Sequence, residues 1–272
     1  MPQIIAVATQ KGGCAKTTTT LCLGVGLAES GRKVLLVDLD AQGSLGVSLG
    51  CEFPDRCPVT MAELFQMVME DTSGSVNTAG GISGYGVNLN YIPANRKLAL
   101  TEKQLGEMDG GERMLRRLLE AFGERYDYIL LDCQPALGML TLNALTAANQ
   151  VLIPVQTEYL SAKGVEQLLQ SVIQVRKMGN PDLEILGILP VMANLRTKNA
   201  RNVLRLLQET YGGIGVLPCV IPYSVRLKEV SVTRKSIYQL DKRGKAAAAY
   251  RELTKIVLKK TEGRLRDEAD AV

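Results

Sequence analysis

Apolar and polar positions along this chain form blocks that predict strands and helices in alternation. Short apolar runs typical of buried strands occupy residues 3–9, 33–38, 127–132, 151–155, 185–191 and 216–221. Segments with helical periodicity occupy residues 17–30, 61–70, 112–125, 160–178, 199–211 and 245–261. Strands that alternate with helices indicate an α/β fold, with a mostly parallel, twisted sheet covered by helices on both faces.

No linker, repeat or low-complexity block divides the 272 residues, so we expect a single domain over residues 1–272. Residues 72–86 are rich in Gly, Ser and Thr, which predicts a loop. Gly31 follows the first helix at the position where a positive φ commonly ends a helix. Neither a signal peptide nor an apolar run long enough to cross a membrane is recognisable, so we expect a cytoplasmic protein.

The composition excludes several kinds of chemistry. The chain has no histidine, which removes His-based triads, His general bases and His metal ligands. Its six cysteines form no CxxC motif, so neither a zinc ribbon nor a thioredoxin-like site is expected. Cys22 and Cys133 lie in apolar runs and are expected in the core. Cys51 and Cys57 flank a proline-containing loop, and the sequence leaves open whether they form a disulfide.

Charge is distributed unevenly along the chain. Residues 1–150 contain 12 Lys and Arg against 16 Asp and Glu, a net charge of −4, whereas residues 151–272 contain 20 against 12, a net charge of +8. Within the second half, residues 196–260 hold 15 basic and 4 acidic side chains. This excess is either a solvated basic face or a surface for nucleic acid or another polyanion.

A glycine-rich loop lies between the first strand and the first helix, which is the setting of a phosphate-binding loop. It consists of Lys11, Gly12, Gly13, Cys14, Ala15, Lys16, Thr17 and Thr18. The helix start offers backbone N–H groups and the positive end of a dipole to phosphate oxygens, and the glycines let the backbone approach the ligand. Lys16 is expected at the β- and γ-phosphates and Thr17 at a Mg²⁺ ion. The expected cofactors are therefore ATP and Mg²⁺.

This loop departs from the usual GxxxxGK[ST] pattern, because Gln10 replaces the first glycine and Ala15 replaces the glycine before the lysine. Its KGGxxKT sequence, with Lys11 as a second lysine, resembles the ParA/MinD family of deviant Walker-A ATPases. The resemblance implies a P-loop NTPase fold and an ATP-dependent homodimer in which Lys11 reaches the nucleotide of the partner subunit. Lys11 and Lys16 are accordingly expected to be catalytic. Most members have glycine at the position of Ala15, where a methyl group is tolerated if φ is negative.

Two aspartates follow the second strand in the segment Asp38-Leu39-Asp40-Ala41-Gln42-Gly43. A carboxylate at a strand end beside phosphates can order water or Mg²⁺, whereas an isolated one commonly caps a helix. The corresponding family segment reads DxDxQG. By that resemblance, Asp40 positions or activates the attacking water, Asp38 lies near the Mg²⁺ ion, and Gln42 gives further polar support.

A third aspartate ends the apolar strand Ile129-Leu130-Leu131-Asp132, in an arrangement similar to a Walker-B element. We expect Asp132 to bind Mg²⁺, either directly or through water. Pro135 follows in a D-x-x-P spacing that resembles the switch segment of the family. Switch segments sense the γ-phosphate by becoming ordered around it.

The resemblance extends over nearly the whole chain. Residues 141–145 and 151–158 are similar to the family's segment after Walker B, residues 221–229 to the IPRNVRLSEA segment of partition ATPases, and residues 244–253 to their last helix. No helix-turn-helix domain precedes the phosphate loop, so the chain is similar to the short, Soj-like ParA ATPases.

The segment after the last predicted strand departs from the family pattern at two positions and also holds a candidate nucleotide-binding residue. Tyr223 and Val230 replace the Arg and Ala that are usual there, in a region that the resemblance implicates in DNA contact or interface formation. Pro222, in the same segment, is expected at the nucleotide. Asn194 stands where family members read adenine, although a turn residue at a strand end is an equally good interpretation.

Basic side chains supply a candidate DNA surface in the second half of the chain. The candidates are Lys198, Arg201, Arg205, Arg226, Lys242 and Arg243. The first three share one helix face by their i, i+3 and i+4 spacing. Aromatic residues are not interleaved with these side chains, so the expected ligand is the phosphate backbone of duplex DNA, without sequence preference. For any one of them, a plain solvated role is equally compatible with the sequence.

The residues and the resemblance together predict a DNA-partitioning ATPase. ATP drives a sandwich dimer, the dimer binds DNA nonspecifically on the nucleoid, and a ParB-like centromere-binding protein stimulates hydrolysis and release. The sequence leaves the cargo open among a plasmid, a chromosome, a mobile element and a protein cluster.

Three other members of the same fold are alternatives. A MinD-like membrane-positioning ATPase needs a C-terminal amphipathic helix, whereas residues 264–272 carry acidic side chains and little apolar face. An iron-protein-like reductase needs paired cysteines for its cluster, and the chain has no paired cysteine motif. A tyrosine kinase of this fold would have a Tyr-rich tail, and no tyrosine follows Tyr250.

Overall fold

The computed structural model describes residues 1–71, 78–157 and 161–270, and its centre is a parallel sheet. The strands are β1 (Gln3–Val7), β2 (Val34–Leu39), β3 (Ser83–Gly84), β4 (Leu89–Ile92), β5 (Tyr128–Cys133), β6 (Gln150–Gln156) and β7 (Glu184–Val191). Their order across the sheet is β3-β4-β2-β5-β1-β6-β7. All neighbours pair in parallel except β3 and β4, which pair antiparallel at one edge. The predicted α/β fold with a mostly parallel sheet is confirmed.

Helices cover both faces of this sheet. They are α1 (Lys16–Glu29), α2 (Ser44–Ser48), α3 (Met61–Glu70), α4 (Leu98–Glu107), α5 (Met114–Glu120), α6 (Met139–Ala147), α7 (Ser161–Met178), α8 (Lys198–Tyr211), α9 (Val225–Thr233), α10 (Ile237–Leu240) and α11 (Lys245–Asp270). Apolar residues of α3 to α8 form one core layer, and those of α1, α2 and α9 to α11 form the other.

Each strand contributes side chains to both core layers, because successive side chains of a strand point to opposite faces of the sheet. In β2, Leu35 and Val37 pack in the first layer, and Val34 and Leu36 pack in the second. Burial on both faces explains why the strands appear in the sequence as continuous apolar runs instead of alternating ones.

Two predicted elements are wrong in extent. The helix predicted over residues 112–125 is reduced to α5, with a single 3₁₀ turn on each side, because Gly110 and Gly123 adopt positive φ values of 75° and 53°. The strand predicted over residues 216–221 is present only as two isolated bridges, Ile188 to Val216 and Ala193 to Pro222. Pro218 interrupts that segment, and proline has no N–H to donate to a ladder.

Several short strands and helices of the structure were not predicted from the sequence. The short strands β3 and β4 and the helices α2, α4, α6, α9 and α10 were not assigned from periodicity. The predicted loop over residues 72–86 contains a 3₁₀ turn and β3 from residue 78 onward, and residues 72–77 lie outside the described residues. None of the helices in the described ranges is long and apolar enough to cross a membrane.

The strand order gathers three functional segments at one edge of the sheet. β2, β5 and β1 are neighbours and run in parallel, so their carboxyl ends lie together. Asp38 pairs in register with Asp132, which in turn pairs with Val7, the last residue of β1. The phosphate loop that leaves β1 therefore begins beside both carboxylates, in the position where open α/β sheets bind ligands.

Candidate functional site

A cleft opens at this edge of the sheet, and the phosphate loop forms its floor. The residues that line it are Gly13, Cys14, Ala15, Lys16, Thr17, Thr18, Asp40, Ser44, Pro135, Met192, Pro222, Tyr223, Ser224, Leu227, Lys228 and Ser231. Most of the predicted phosphate-loop residues, together with Asp40 and Pro222, thus surround one space. Lys11, Gly12, Asp38, Asp132 and Asn194 lie outside this lining.

The loop turns through two left-handed residues. Gly13 has φ +72°, and Ala15, which begins α1 as its N-cap, has φ +55° and ψ +30°. The condition under which a methyl group is tolerated at this position, a negative φ, is therefore not met. A left-handed conformation costs a residue with a Cβ about 1–2 kcal/mol, so this chain keeps a strained alanine at the base of the phosphate loop.

Lys16 is buried, with only 7% of its surface exposed. Its Nζ donates to the backbone carbonyl of Lys11 at 3.4 Å, which folds the side chain back along the loop toward the cleft. Lys11 itself is half-buried at the start of the loop. Its role toward a partner subunit stays a prediction.

Asp132 is fully buried at the end of β5 and faces the first turns of α1. Its Oδ1 accepts from the Thr20 hydroxyl at 3.4 Å, and Thr17 also donates to this carboxylate. Burial raises the pKa of Asp132 to about 7, although the Thr17 hydrogen bond and the Lys16 charge oppose that rise. Its Oδ2 is buried and has no hydrogen-bond partner among the described residues. The carboxylate is thus poised for a cation.

Asp38 is equally buried but differently used. Its Oδ1 accepts from the backbone N–H of Asp40 at 3.1 Å, and its Oδ2 accepts from those of Leu45 and Gly46, each at 3.1 Å. Burial, followed by the neighbouring charge of Asp132, raises the pKa of Asp38 well above its usual range. These contacts make Asp38 a positioning residue that holds α2 and Asp40. Its place near a Mg²⁺ ion stays a prediction.

Asp40 lines the same cleft as the phosphate loop. Its backbone is fixed by Asp38, and its own Oδ1 accepts from the N–H of Gln42 at 3.0 Å. Gly43 closes this turn by donating its N–H to the Asp40 carbonyl at 2.8 Å, with φ +65°. A carboxylate on a rigid turn beside the phosphate loop can orient a water molecule.

Two residues that sequence analysis did not single out connect the loop to the opposite wall. Gln156, at the end of β6, donates its Nε2 to the Gly13 carbonyl at 2.9 Å and contacts the Met192 sulfur at 3.1 Å. Met192 lines the cleft with a left-handed φ of 55°. Gln156 falls inside the segment 151–158 that carried the resemblance, whereas Met192 had no signal beyond its place after β7; Glu158 of that segment lies outside the described residues.

Asn194 has the geometry of a turn residue. It is exposed, its Oδ1 accepts from the N–H of Arg196 at 3.3 Å, and its carbonyl accepts from the N–H of Thr197 at 3.0 Å. Thr197 in turn caps α8. Pro222 and Tyr223, which do line the cleft, pair with neighbouring Ala193. The adenine contact predicted for Asn194 stays untested, and the apolar wall beside it is the better-placed surface.

The switch segment after Asp132 reaches the phosphate loop. A Cβ placed on Gly12 would lie 4.0 Å from the Pro135 Cβ, so Gly12 lies against the switch segment. Glu102, on α4, holds this segment from behind, because its Oε1 accepts from Gln134 Nε2 at 2.7 Å and from the Leu140 N–H at 3.3 Å. Glu102 is a third residue, after Gln156 and Met192, that the sequence did not indicate.

The predicted DNA-binding side chains are all exposed. On α8, Lys198, Arg201 and Arg205 lie opposite the buried face of that helix, which is formed by Ala200, Val203 and Leu207. Lys242 and Arg243 precede α11 and are also exposed. Arg226, on α9, forms an ion pair with Glu229 at 2.7 Å, so part of its charge is already compensated.

The six cysteines have different surroundings. Cys22 and Cys133 are buried in the core, as predicted. Burial raises the pKa of both thiols, so they are inert core side chains. Cys51 and Cys57 are half-buried free thiols whose sulfur atoms lie 2.8 Å apart. No group of three or more acidic or cysteine side chains within the described ranges forms a metal cluster.

The chain is similar to known proteins over most of its length. The AAA domain model AAA_31 matches residues 2–185. The sporulation initiation inhibitor protein Soj of Bacillus subtilis (strain 168) is 41% identical over 258 residues, which cover 94% of this chain and 98% of that protein. The chromosome partitioning protein ParA of Myxococcus xanthus (strain DK1622) is 36% identical over 258 residues, which cover 95% of this chain and 88% of that protein.

A solved structure gives the same picture. Cobyrinic acid a,c-diamide synthase from Mycobacterium smegmatis, crystallised with ADP and magnesium, is 37% identical and superposes with a TM-score of 0.83 over 96% of each chain. The same protein with a bound ATP analogue and magnesium gives the same values. This similarity agrees with the parallel sheet and with the loop that leaves β1.

Proposed function

This chain belongs to the ParA/MinD-like AAA_31 family of P-loop proteins, and we propose that it is a Mg²⁺-dependent ATPase that partitions DNA. ATP drives a homodimer, the dimer binds duplex DNA nonspecifically, and a ParB-like centromere-binding partner stimulates hydrolysis and release. In this proposal residues 1–272 form one ATPase domain that works in the cytoplasm on the nucleoid. The partitioning role is supported by the similarity to Soj and ParA.

The observation that carries the ATPase assignment is the buried, unpartnered Oδ2 of Asp132. Such an atom costs free energy unless a cation or a donor satisfies it, and carboxylate and hydroxyl oxygens are ligands that Mg²⁺ prefers. Asp132 and Thr17 therefore fit a Mg²⁺ ion and would hold it. Mg²⁺ supplies charge neutralisation on the β- and γ-phosphates when it is bound.

Other residues bind the phosphates and the base and orient the attacking water. The backbone amides of residues 12–18 receive the phosphates, and the buried ammonium of Lys16 adds a positive charge there. Asp40, which lines the same cleft, orients the attacking water. Met192, Pro222 and Tyr223 offer an apolar surface to the base, and Lys11 reaches the nucleotide of a second subunit.

DNA binding is proposed for the exposed basic side chains of α8, α9 and the turn before α11. Binding to phosphates without base reading releases counterions and is therefore steeply salt-dependent. The primary experiment measures binding of the purified protein to random-sequence duplex DNA with ATP, with ADP and without nucleotide, at two salt concentrations. ATP-dependent, salt-sensitive binding is expected. Absence of binding in every state would remove the DNA role and redirect the function to a membrane or a protein cargo.

Two double variants distinguish binding of DNA by the proposed surface from a general effect of positive charge anywhere on the protein. Arg201→Ala with Arg205→Ala removes two exposed charges of α8 and should lower the slope of log K against log salt by about 1.8, since each phosphate contact contributes about 0.9. Lys103→Ala with Arg116→Ala removes two exposed charges from α4 and α5, and should leave the slope unchanged. Equal losses in both double variants would contradict a specific surface.

Two single variants test the catalytic assignment. Lys16→Ala should abolish nucleotide binding, because the phosphates lose their buried cation, and unchanged ATP affinity would remove the phosphate-loop assignment. Asp40→Ala should bind ATP normally but hydrolyse it about 10²-fold or more slowly, and so stay bound to DNA. Normal turnover in that variant would exclude Asp40 from the mechanism.

A further inference from the structure

The segment between α2 and α3 brings two thiols together. Cys51 and Cys57 are six positions apart, and a 3₁₀ turn at Pro54–Arg56 reverses the chain between them. The Cys57 N–H donates to the Pro54 carbonyl at 3.2 Å, and the Cys51 N–H donates to the Gly46 carbonyl on α2 at 2.9 Å. The backbone therefore fixes both cysteines, and their sulfur atoms lie 2.8 Å apart as free thiols.

This pair is also the most accessible thiol site on the chain. Cys14, Cys22, Cys133 and Cys219 are buried, whereas Cys51 and Cys57 are half-buried. A reagent dissolved in water therefore meets the pair before it meets the other four cysteines. Exposure and a neighbouring thiol are two of the properties of redox-responsive thiols, beside thiolate character.

The segment that carries the pair contacts two helices, α2 and α9, that contribute residues to the cleft. A Cβ placed on Gly46 of α2 would lie 3.7 Å from the Cys51 Cβ, and one placed on Gly43 would lie 3.4 Å from Pro54. Glu52 forms an ion pair with Arg234, the residue that ends α9, at 3.2 Å. The segment 51–57 thus contacts α2, which follows Asp40, and the end of α9, whose residues line the cleft.

We propose that Cys51 and Cys57 form a modification site, in which the two thiols are converted reversibly to an intramolecular disulfide by exchange with a small-molecule disulfide. The thiol form is the resting form in a reducing compartment, and the disulfide is transient there. This inference does not depend on the proposed ATPase or DNA-binding function.

The exchange proceeds in two balanced steps. Burial and then the hydrogen bond with Cys57 raise the pKa of Cys51 to about 12, so Cys51 keeps its proton near neutral pH and Cys57 attacks first. Cys57 loses its proton to water and attacks one sulfur of the small disulfide, which gives a mixed disulfide and releases one small thiolate. Cys51 then loses its proton to water and attacks the Cys57 sulfur, which releases the second small thiolate. The two released thiolates take up the two protons from water. Two protein thiols are oxidised, and one small disulfide is reduced to two thiols.

The test treats the native full chain with oxidised glutathione, alkylates the remaining thiols after unfolding, and counts and maps them by mass spectrometry. Two of the six thiols should be lost, the disulfide should map to Cys51 and Cys57 without retained glutathione, and dithiothreitol should restore all six. Cys51→Ser should stop at one glutathione on Cys57, and Cys57→Ser should keep Cys51 unmodified. Cys219→Ser is the matched control and should close the disulfide as the native chain does.

Three results would overturn the proposal: retention of all six thiols in the native chain, a stable glutathione adduct without closure, or a disulfide that includes another cysteine. An adduct on Cys51 in the Cys57→Ser variant, with none on Cys57 in Cys51→Ser, would overturn the assigned order of attack. The peptide map of the native chain decides between these outcomes even if a serine variant folds poorly.

Discussion

The ends of β2 and β5 carry the same residue in the same register and use it in opposite ways. Asp38 and Asp132 are paired across the two strands, and both are fully buried. Each faces the first turn of a helix that begins with a left-handed N-cap residue, Gly43 before α2 and Ala15 before α1.

What differs is the direction of the helix amides. The first turn of α2 donates two backbone N–H groups to Asp38, which also receives the N–H of Asp40. The first turn of α1 instead lines the cleft, and Asp132 receives threonine hydroxyls and keeps one oxygen without a partner. The comparison teaches that a strand-end aspartate supports the fold where the next helix turns its amides onto it, and keeps an oxygen open where those amides line a cleft.

The largest expected effect is on ATP hydrolysis. Asp132→Asn should lower Mg²⁺-dependent turnover by about 10²-fold or more, because a neutral amide cannot replace a carboxylate ligand. Asp38→Asn, which perturbs the support of Asp40 and of the first turn of α2, should stay within about tenfold of the native chain. Steady-state phosphate release measures both variants. A larger loss in Asp38→Asn than in Asp132→Asn would reverse the comparison.

Magnesium itself should distinguish the two carboxylates. With ligand at about 100 times its Kd, binding stabilises the native chain by about 2.7 kcal/mol. Thermal unfolding with ATP should therefore show a higher Tm with Mg²⁺ than with EDTA. That difference should disappear in Asp132→Asn and persist in Asp38→Asn. A Mg²⁺-dependent shift that survives in Asp132→Asn would place the ion elsewhere.

Stability without ligands should show the opposite order. Asp38→Asn replaces two carboxylate oxygens, which accept three backbone N–H groups, by an amide with a single acceptor oxygen. This should cost about 1–3 kcal/mol of unfolding free energy, or roughly 2–5 °C in Tm. Asp132→Asn should change that free energy by less than about 1 kcal/mol, because Thr20 still finds an acceptor and the other oxygen has no partner to lose. Calorimetry in EDTA measures the unfolding free energy of both variants, and equal losses would contradict the prediction.

The smallest expected effect concerns the two N-cap residues. Ala15→Gly removes a left-handed alanine and should stabilise the fold by about 0.5–1 kcal/mol, since the relief exceeds the extra chain entropy of glycine. Gly43→Ala is the matched reverse substitution, and its Cβ would lie 2.7 Å from the Ala94 carbonyl oxygen, so it should be destabilising. Denaturant unfolding measures both. A loss of stability in Ala15→Gly would show that the alanine methyl contributes packing that outweighs its strain.

Prediction from sequence succeeded where a local pattern is sufficient. The strands β1, β2, β5, β6 and β7, the loop 11–18 and the position of Asp132 after an apolar strand were all recognisable, because burial on both faces and a strand-loop-helix order leave a direct record in the sequence. Gly31, with φ +85°, ends α1 as expected for a C′ glycine. The short elements β3, β4 and α2 leave too few periods to be recognised.

Prediction failed where a residue's role depends on a distant segment. Asp38 and Asp132 look alike in sequence, and the α2 amides that separate their roles are seven and eight residues beyond Asp38. Gln156 and Glu102 reach the phosphate loop and the switch segment from 143 and 32 residues away.

By itself, the sequence determined the α/β layering, the phosphate loop and the uneven charge of the two halves of the chain. Each of these follows from residues that are close together in the sequence, through hydrophobic periodicity, glycine placement and the count of charged side chains. The tertiary structure alone decided the backbone of Ala15, the different partners of two equivalent aspartates, and the meeting of Cys51 with Cys57. The first two depend on the strand order and on the helix that follows each strand, and the third depends on the 3₁₀ turn at Pro54–Arg56. Hydrogen bonds and burial are properties of neighbours in space.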